Sequence, residues 1–282
     1  MLRTAFIINP RSAKNSANRF LRQLKARASD SLVHISQSVQ STHDFVLENF
    51  DEVDVFVAVG GDGTISSVAS NLLNTPKLMA VIPAGSGNGF SREMKFSSNL
   101  DHLLGKIKAG KFEEVDTFTV NGRISVNVSG IGFDGEVIQA FEKTSRGFAN
   151  YIRTSVAKYR SYSPIRVRFE EKYSDCNGEY LMINVANTRQ FGNNAFIAPH
   201  ASHSDSLLEI ALVKKFPFIH APVFAYRMFS KKLIPNQYIK YLSVPEISFE
   251  VDSDVWHLDG EGVRIPSPVH IKIWPKSLKI VV

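Results

Sequence analysis

Along the first third of this chain, short apolar runs alternate with polar stretches at helical spacing; later the apolar positions come as a closer succession of short strands. Residues 5–8 form an apolar run that stops at Asn9-Pro10, because proline has no amide to continue a ladder. Residues 17–28 set Phe20, Leu21 and Leu24 at helical spacing among Arg and Lys, which predicts an amphipathic helix. Residues 32–35 read as a second strand and 42–50, with Phe45, Val46 and Phe50, as a second helix. Residues 53–59 are apolar and largely β-branched apart from Asp54, the pattern of a strand covered on both faces in a parallel sheet. That strand runs into Gly60-Gly61-Asp62-Gly63-Thr64, after which Ile65, Val68, Ala69 and Leu72 recur with helical period. Residues 78–82 are a further buried strand, stopped by Pro83 and followed by a second glycine-rich turn, Ala84-Gly85-Ser86-Gly87-Asn88-Gly89. Alternating strand, loop and helix with glycines at the strand ends predicts an open α/β sheet, its ligand crevice beyond the carboxyl ends of the strands.

The pattern changes near residue 115. Residues 115–120 and 124–128 flank Asn121-Gly122, a strong hairpin signal. Residues 136–159 predict a helix interrupted near Gly147, with Tyr151, Ile152, Val156 and Tyr159 on one side. Strands then dominate: 165–169, 180–186, 207–213, 238–244, 247–251, 269–274 and 278–282. The expected organisation is an α/β domain over 1–118 and a mostly antiparallel β domain over 119–282. The last strand, 278–282, is expected to pack back on the first domain, and substrates to bind in the cleft between the halves.

The composition of the 282 residues, 44% hydrophobic and 21% charged, is that of a globular protein. No run of eighteen apolar residues occurs, so membrane contact is expected to be peripheral. The single cysteine, Cys176, excludes an intramolecular disulfide and fits a reducing, cytoplasmic setting. The net charge of +6 suits nucleic acid, an acidic bilayer or a phosphorylated ligand. The basic residues are scattered, with only short doublets such as Lys214-Lys215 and Lys231-Lys232, and no dense basic arm points to nucleic acid.

The sharpest chemical feature is the turn 60–64. Glycines let amides approach phosphate oxygens, and the following helix start adds positive potential. Asp62 is out of place in a bare anion site, since its carboxylate repels phosphate unless it holds Mg²⁺ or accepts a proton, both tasks of phosphoryl transfer. A plain tight turn with an Asp cap is the alternative. Neither a Gly-x-x-x-x-Gly-Lys-Ser/Thr loop nor a Gly-x-Gly-x-x-Gly fingerprint after the first strand is present. Asn9, Pro10 and Arg11 end the first strand and point to the same crevice, where Arg11 can meet a phosphate or stay in solvent. Thr42, after the second strand, is a further contact or a helix cap. In the second half, Gly130-Ile131-Gly132-Phe133-Asp134-Gly135 and Leu258-Asp259-Gly260-Glu261 each present carboxylates from a glycine turn. Asp134 can meet an acceptor hydroxyl or a metal-bound water, or serve its own turn. His200, His203, His220 and His257 lack metal-ligand spacing and read as surface or loop histidines.

Asn9-Pro10, Gly60-Gly61-Asp62-Gly63-Thr64 and Pro83-Ala84-Gly85-Ser86-Gly87-Asn88 together resemble the catalytic domain of the diacylglycerol kinase and sphingosine kinase superfamily, and most of all the bacterial soluble lipid kinases. The resemblance runs the whole length. It implies a phosphofructokinase- and NAD-kinase-like N-terminal domain, a C-terminal β-sandwich, ATP and Mg²⁺ as cofactors, a lipid alcohol as acceptor at a membrane surface, and a homodimer. It implies nucleotide contacts at Asn9, Gly61, Thr64 and Gly85 to Asn88, and places Asp62 in the metal-nucleotide network or as the base. Asp259-Gly260-Glu261 resembles the family's Asp-Gly-Glu signature, with Glu261 the expected base, Asp62 its rival, and Asp259 a base or metal ligand. As i and i+2 neighbours on an extended segment, Asp259 and Glu261 would share a face. Pro199 to Ala201 with Asp205 resembles a region that in some members holds a structural Mg²⁺. Ser66-Ser67 and Ser70 stand where the family often has other polar residues, and Ser206 replaces a glycine. A soluble-metabolite kinase and a catalytically degenerate lipid- or nucleotide-binding protein are the alternatives.

Overall fold

A computed structural model describes residues 2–10, 17–85, 87–142 and 148–282. The chain divides into two compact units, residues 1–115 with 276–282, and residues 116–275.

In the first unit, four parallel strands are ordered β2 (Leu32–Ile35), β1 (Thr4–Ile8), β3 (Val55–Gly60), β4 (Leu78–Pro83). Lys279 and Ile280 add a parallel fifth strand beside Leu78 and Met79. Every residue of β1 and β3 is buried, so these strands read as unbroken apolar runs because helices cover both faces. Side chains alternate between the faces. Phe6, Ile8, Val55, Val57 and Val59 pack with Leu24 of α1 (Ala17–Arg27) and with Leu100, Leu103 and Ile107 of α5 (Leu100–Ala109). Helices α2 (Val39–Glu48) and α3 (Asp62–Ala69) complete the layer structure, followed after β4 by the one-turn helix α4 (Gly89–Glu93). Ser38, not Thr42, caps α2, its hydroxyl accepting from the Ser41 amide.

The second unit is a β-sandwich backed by helices. One sheet has the order β12 (Ile239–Val244), β11 (Leu208–Val213), β10 (Met182–Ala186), β7 (Val128–Gly132), β14 (Val255–Leu258), β15 (Glu261–Arg264), paired antiparallel throughout. The facing sheet joins the first half of β16 (Val269–Val281) to β13 (Glu246–Val251), β8 (Ile165–Phe169) and β9 (Gly178–Tyr180). Ile131, Ile183, Ile210 and Trp256 from the first sheet meet Phe169, Phe249 and Ile271 from the second. The outer face of the six-stranded sheet carries α6 (Phe133–Glu142), α7 (Phe148–Tyr159) and α8 (Ala221–Phe229), packed through Val137, Tyr159, Phe224 and Met228.

Two strands pass from one unit into the other: β5 (Phe112–Val120), and β16, which is one strand where the sequence suggests two. Pro275 interrupts its alternation and Lys276 adopts a left-handed φ of 50°. β5 turns into β6 (Arg123–Ser125) through Asn121 and Gly122, both at positive φ, the two-residue turn that Asn-Gly predicts. Strands β14 and β15 and helices α4, α5 and α8 are not anticipated by the sequence patterns, and the predicted strand 124–128 is divided into β6 and β7.

Phe56 lies fully buried in β3. Replacing it with alanine is expected to lower stability by about 3–5 kcal/mol through lost burial and a residual cavity, measured as a shift of the urea unfolding midpoint. A loss below about 1 kcal/mol would contradict this packing.

Candidate active site

The two glycine turns of the first unit lie against each other, backbone to backbone. A β-carbon built on Gly85 would fall 2.6 Å from the Gly61 α-carbon and 2.7 Å from Asn88 Oδ1, and one on Gly61 would fall 3.2 Å from the Gly85 α-carbon. On Gly60 it would meet Thr64 Oγ1 at 2.3 Å. The glycines are thus required first by the contact between β3–α3 and β4–α4, before any phosphate is considered. Asp62 strengthens the same contact: its carboxylate accepts the amides of Gly89 (3.1 Å) and Phe90 (3.3 Å). It therefore caps α4. The N-cap of its own helix is Gly61, which has no side chain to cap with, and the Thr64 and Ile65 amides donate to the Gly61 carbonyl. Asn9 Nδ2 donates to Thr64 Oγ1 at 3.1 Å, tying the end of β1 to the same helix start. Asn88, held at a left-handed φ of 51°, turns inward: Oδ1 accepts the Gly85 amide (3.0 Å) and Nδ2 donates to the Gly85 carbonyl (2.8 Å). Its side chain secures the loop with both ends. Thr42 is buried, sharing a 2.8 Å hydrogen bond with the Ser36 hydroxyl. Pro10 is exposed in the turn after β1, while Arg11 and Ser86 lie outside the described residues.

In the second unit three polar side chains converge over Gly130. Asn184 of β10 and His257 of β14 flank Gly130 in register on the two neighbouring strands. Asp134, in the first turn of α6, reaches back over it, and a β-carbon on Gly130 would fall 2.1 Å from Asp134 Oδ2. That oxygen accepts from Asn184 Nδ2 and from His257 Nε2 (3.1 Å), and Oδ1 accepts the Gly135 amide (2.8 Å). The Gly260 amide donates to His257 Nδ1 at 3.3 Å, so Nδ1 is unprotonated and Nε2 carries the hydrogen offered to Asp134. Partial burial and then the negative charge of Asp134 push the phenol of Tyr162 up. Asp134 is thus a buried helix residue with several partners, more than a turn serving its own backbone, and His257 is buried, not a surface histidine.

Asp259 and Gly260, at φ of 50° and 85°, form the two-residue turn between β14 and β15, with Leu258 paired to Glu261. The segment is a hairpin and not extended, so Asp259 and Glu261 do not share a face by strand alternation. The buried Asp259 carboxylate accepts from Ser125 Oγ (2.6 Å), the Val126 amide (3.0 Å) and the Asn127 amide (2.9 Å). Those two amides lie in the break between β6 and β7, which explains why the predicted strand is divided. Glu261 is exposed at the start of β15. Asp205 is exposed too, accepting the Leu207 amide at 3.0 Å, while the buried Asp116, distant in sequence, takes the Ser206 amide at 2.7 Å. Among the described residues no three His, Cys, Asp or Glu side chains form a metal-binding group. Sequence reasoning misread His257 and missed Asn184 and Asp116; the Asn187 side chain donates to the Asp116 and Val126 carbonyls.

An α/β unit whose two glycine turns pack against each other is joined in one chain to a β-sandwich bearing an Asp-Gly-Glu hairpin. Residues 3–120 match the family model of the diacylglycerol kinase catalytic domain. Residues 125–282 match that of the YegS C-terminal NAD kinase beta sandwich-like domain. The chain is similar to the diacylglycerol kinase of Bacillus subtilis, 26% identical over 282 residues, covering 94% of this chain and 92% of that protein. It is also 26% identical over 253 residues to an uncharacterized protein of Synechocystis sp., covering 81% of this chain but spanning only 55% of that protein's length. The fold matches a crystal structure of a diacylglycerol kinase from Bacillus anthracis, with a TM-score of 0.74 at 19% identity over 99% of this chain and 96% of that one. The chain belongs to the diacylglycerol-kinase-like, YegS-type family of lipid kinases. Enzymes of this family use ATP and Mg²⁺ to phosphorylate a lipid hydroxyl, and this chain is a lipid kinase by class.

Two substitutions test the local physics. Gly85→Ala forces the turns apart, and stability is expected to fall by about 1–3 kcal/mol with loss of ATP·Mg²⁺ binding in calorimetry. Gly87→Ala, whose β-carbon would sit 3.6 Å from Asp62 Oδ2 in ordinary contact, should change neither. Asp259→Asn keeps a residue that tolerates positive φ but sets an NH₂ group against one of the three donors. It is expected to cost about 1–3 kcal/mol in urea unfolding; an unchanged midpoint would refute the role assigned to that carboxylate.

Proposed function

We propose that this protein transfers the γ-phosphoryl group of ATP to the free hydroxyl of a diacylglycerol-like lipid at a membrane surface. The observation that carries the reading is the paired glycine turns, with α3 starting at an N-cap glycine that has no side chain. Membership of a lipid-kinase family supports a lipid acceptor over a soluble metabolite. Among the described residues no helix is long and apolar enough to cross a membrane, so the proposed contact with lipid is peripheral.

The fit to a nucleotide rests on donors and on one carboxylate. Turn 60–64 binds phosphate oxygens through the first-turn amides of α3, while Asn9 holds Thr64 in place beside them. Mg²⁺ in phosphoryl transfer is usually held by one or two carboxylates plus the phosphates themselves, and a single Asp62 suits that arrangement. When bound, Mg²⁺ supplies charge neutralisation at the transferring group. Asp62 keeps the second glycine turn in register through the Gly89 and Phe90 amides and orients the nucleotide complex. Glu261 receives the proton of the lipid hydroxyl as the nucleophilic oxygen forms its bond to phosphorus. Asp134 supports that exchange through His257, which bonds the Gly260 amide next to Glu261. Asp259 fixes the hairpin and is the least suited of the four acids to hold a metal, since its oxygens already accept three hydrogen bonds. A structural Mg²⁺ at Asp205 would have to share its carboxylate with the Leu207 amide.

The test is phosphorylation of detergent-dispersed lipids, followed by mass spectrometry, with calorimetry of ATP·Mg²⁺ alongside. Glu261→Gln should lower kcat by about 10²–10⁴-fold with nearly normal nucleotide affinity. Asp62→Asn should alter the Mg²⁺ dependence of both binding and turnover. The opposite pattern, with nucleotide affinity lost in Glu261→Gln and only turnover lost in Asp62→Asn, would make Asp62 the base.

A further inference from the structure

Basic residues are spread along the chain, but some stretches carry no acid to offset them. Like residues 11–29 with six and residues 143–169 with seven, residues 210–245 contain Lys or Arg, six in number, and no Asp or Glu. Both basic doublets, Lys214-Lys215 and Lys231-Lys232, lie in this segment. In the second unit it forms the end of β11, a 3₁₀ turn at Phe218–His220, helix α8, a loop and β12. Phe216, Phe224 and Met228 point inward and pack on the helix-covered face of the sandwich. The outward positions are also apolar: Ile219 is 80% exposed, Tyr226 65%, Ile234 57% and Val223 48%.

Helix α7 extends this face. The Arg160 guanidinium lies 5.3 Å from the Phe218 ring centroid, and Val156 and Ile152, both exposed, stand one and two turns back from Arg160 on the same stripe. Lys215 donates to the Tyr162 carbonyl at 2.6 Å, which fastens the turn to the end of that helix. Lys158 and Lys240 are taken up in ion pairs with Glu136 and Asp175. Lys214, Arg227, Lys231 and Lys232 make no ion pair among the described residues.

We propose that this face, the 3₁₀ turn with α8 and the exposed stripe of α7, docks on an anionic phospholipid bilayer. Isolated apolar side chains among bases of one sign match a layer of headgroup phosphates over hydrocarbon. Ile219, Val223 and Tyr226 enter the interfacial layer, while Lys214, Arg227, Lys231 and Lys232 meet phosphates. The inference rests on the lipid-kinase reading and names the surface by which that kinase reaches its acceptor.

The experiment is co-sedimentation of the full chain with vesicles of phosphatidylcholine alone or with phosphatidylglycerol, at low and high salt and without ATP. Wild type should bind the anionic vesicles and lose most of that binding at high salt. Ile219→Asp and the double variant Lys214→Glu/Lys232→Glu should each lower the partition coefficient by about tenfold or more. Leu47→Asp, at an exposed apolar position on α2 in the other unit, should bind as wild type. Both face variants binding as tightly as wild type would overturn the proposal, as would an equal loss in Leu47→Asp. Gel filtration separates the other occupant: a dimer that Ile219→Asp turns into a monomer without lipid would assign the face to a second copy instead. Phosphorylation of detergent-dispersed lipid is read in parallel. Its absence in wild type defeats the kinase reading while the vesicle result still decides the docking surface.

Discussion

A carboxylate removed from water must be met by donors or it destabilises the fold, and in this protein the buried Asp134 and Asp259 and the half-buried Asp62 organise the turns around them. Asp62 gathers the Gly89 and Phe90 amides. Asp134 gathers Asn184, His257 and the Gly135 amide. Asp259 gathers Ser125 and two amides of the interrupted strand. In each case most of the donors come from residues distant in sequence, so the acid fixes one chain segment against another. The backbone around each acid then has little freedom, and that restraint is the precondition for placing reacting groups within hydrogen-bond reach.

The glycines follow from the same demand. Gly130 is free of a β-carbon because Asp134 and Asn184 occupy that volume. Gly61 and Gly85 are bare because their α-carbons approach each other across two loops. A side chain at Gly61 therefore meets protein before it meets phosphate, which changes the physical reason for the motif while leaving its residues the same. The nucleotide contact proposed for the turn rests on what remains after this packing is satisfied: a helix start whose capping residue has no side chain.

How much of this could be read from sequence depended on how local each feature is. The parallel sheet was legible because full burial on both faces makes β1 and β3 unbroken apolar runs. The β5–β6 hairpin was legible because Asn121-Gly122 requires two positive φ angles that few other residues accept. Asp259-Gly260 carries the same kind of signal, and β14 and β15 were missed although that turn announces them. Their burial is set by the neighbouring strand β7 and not by alternation within themselves. His257 was illegible for a stronger reason: its partner Asp134 is 123 residues away, and no spacing rule links them. The family resemblance pointed to Asp62, Asp134, Asp259 and Glu261, but the partners that orient them emerged only from the fold.

Those partners separate the two carboxylates of the Asp-Gly-Glu hairpin. Asp259 is buried and its oxygens are already engaged by three donors. Any proton or metal it accepted would have to displace hydrogen bonds that hold the β6–β7 break together. Glu261 begins β15 on the exposed side of the same turn. A general base must change its protonation state during each turnover, and a structural carboxylate must not, because losing its charge weakens every bond it accepts. In the proposed reaction the same turn divides the labour: Asp259 keeps its charge to hold the loop, and Glu261 takes the proton. His257 sits between these tasks, bonded to Asp134 on one side and to the Gly260 amide on the other, so in that proposal a histidine and an aspartate steady the hairpin that carries Glu261.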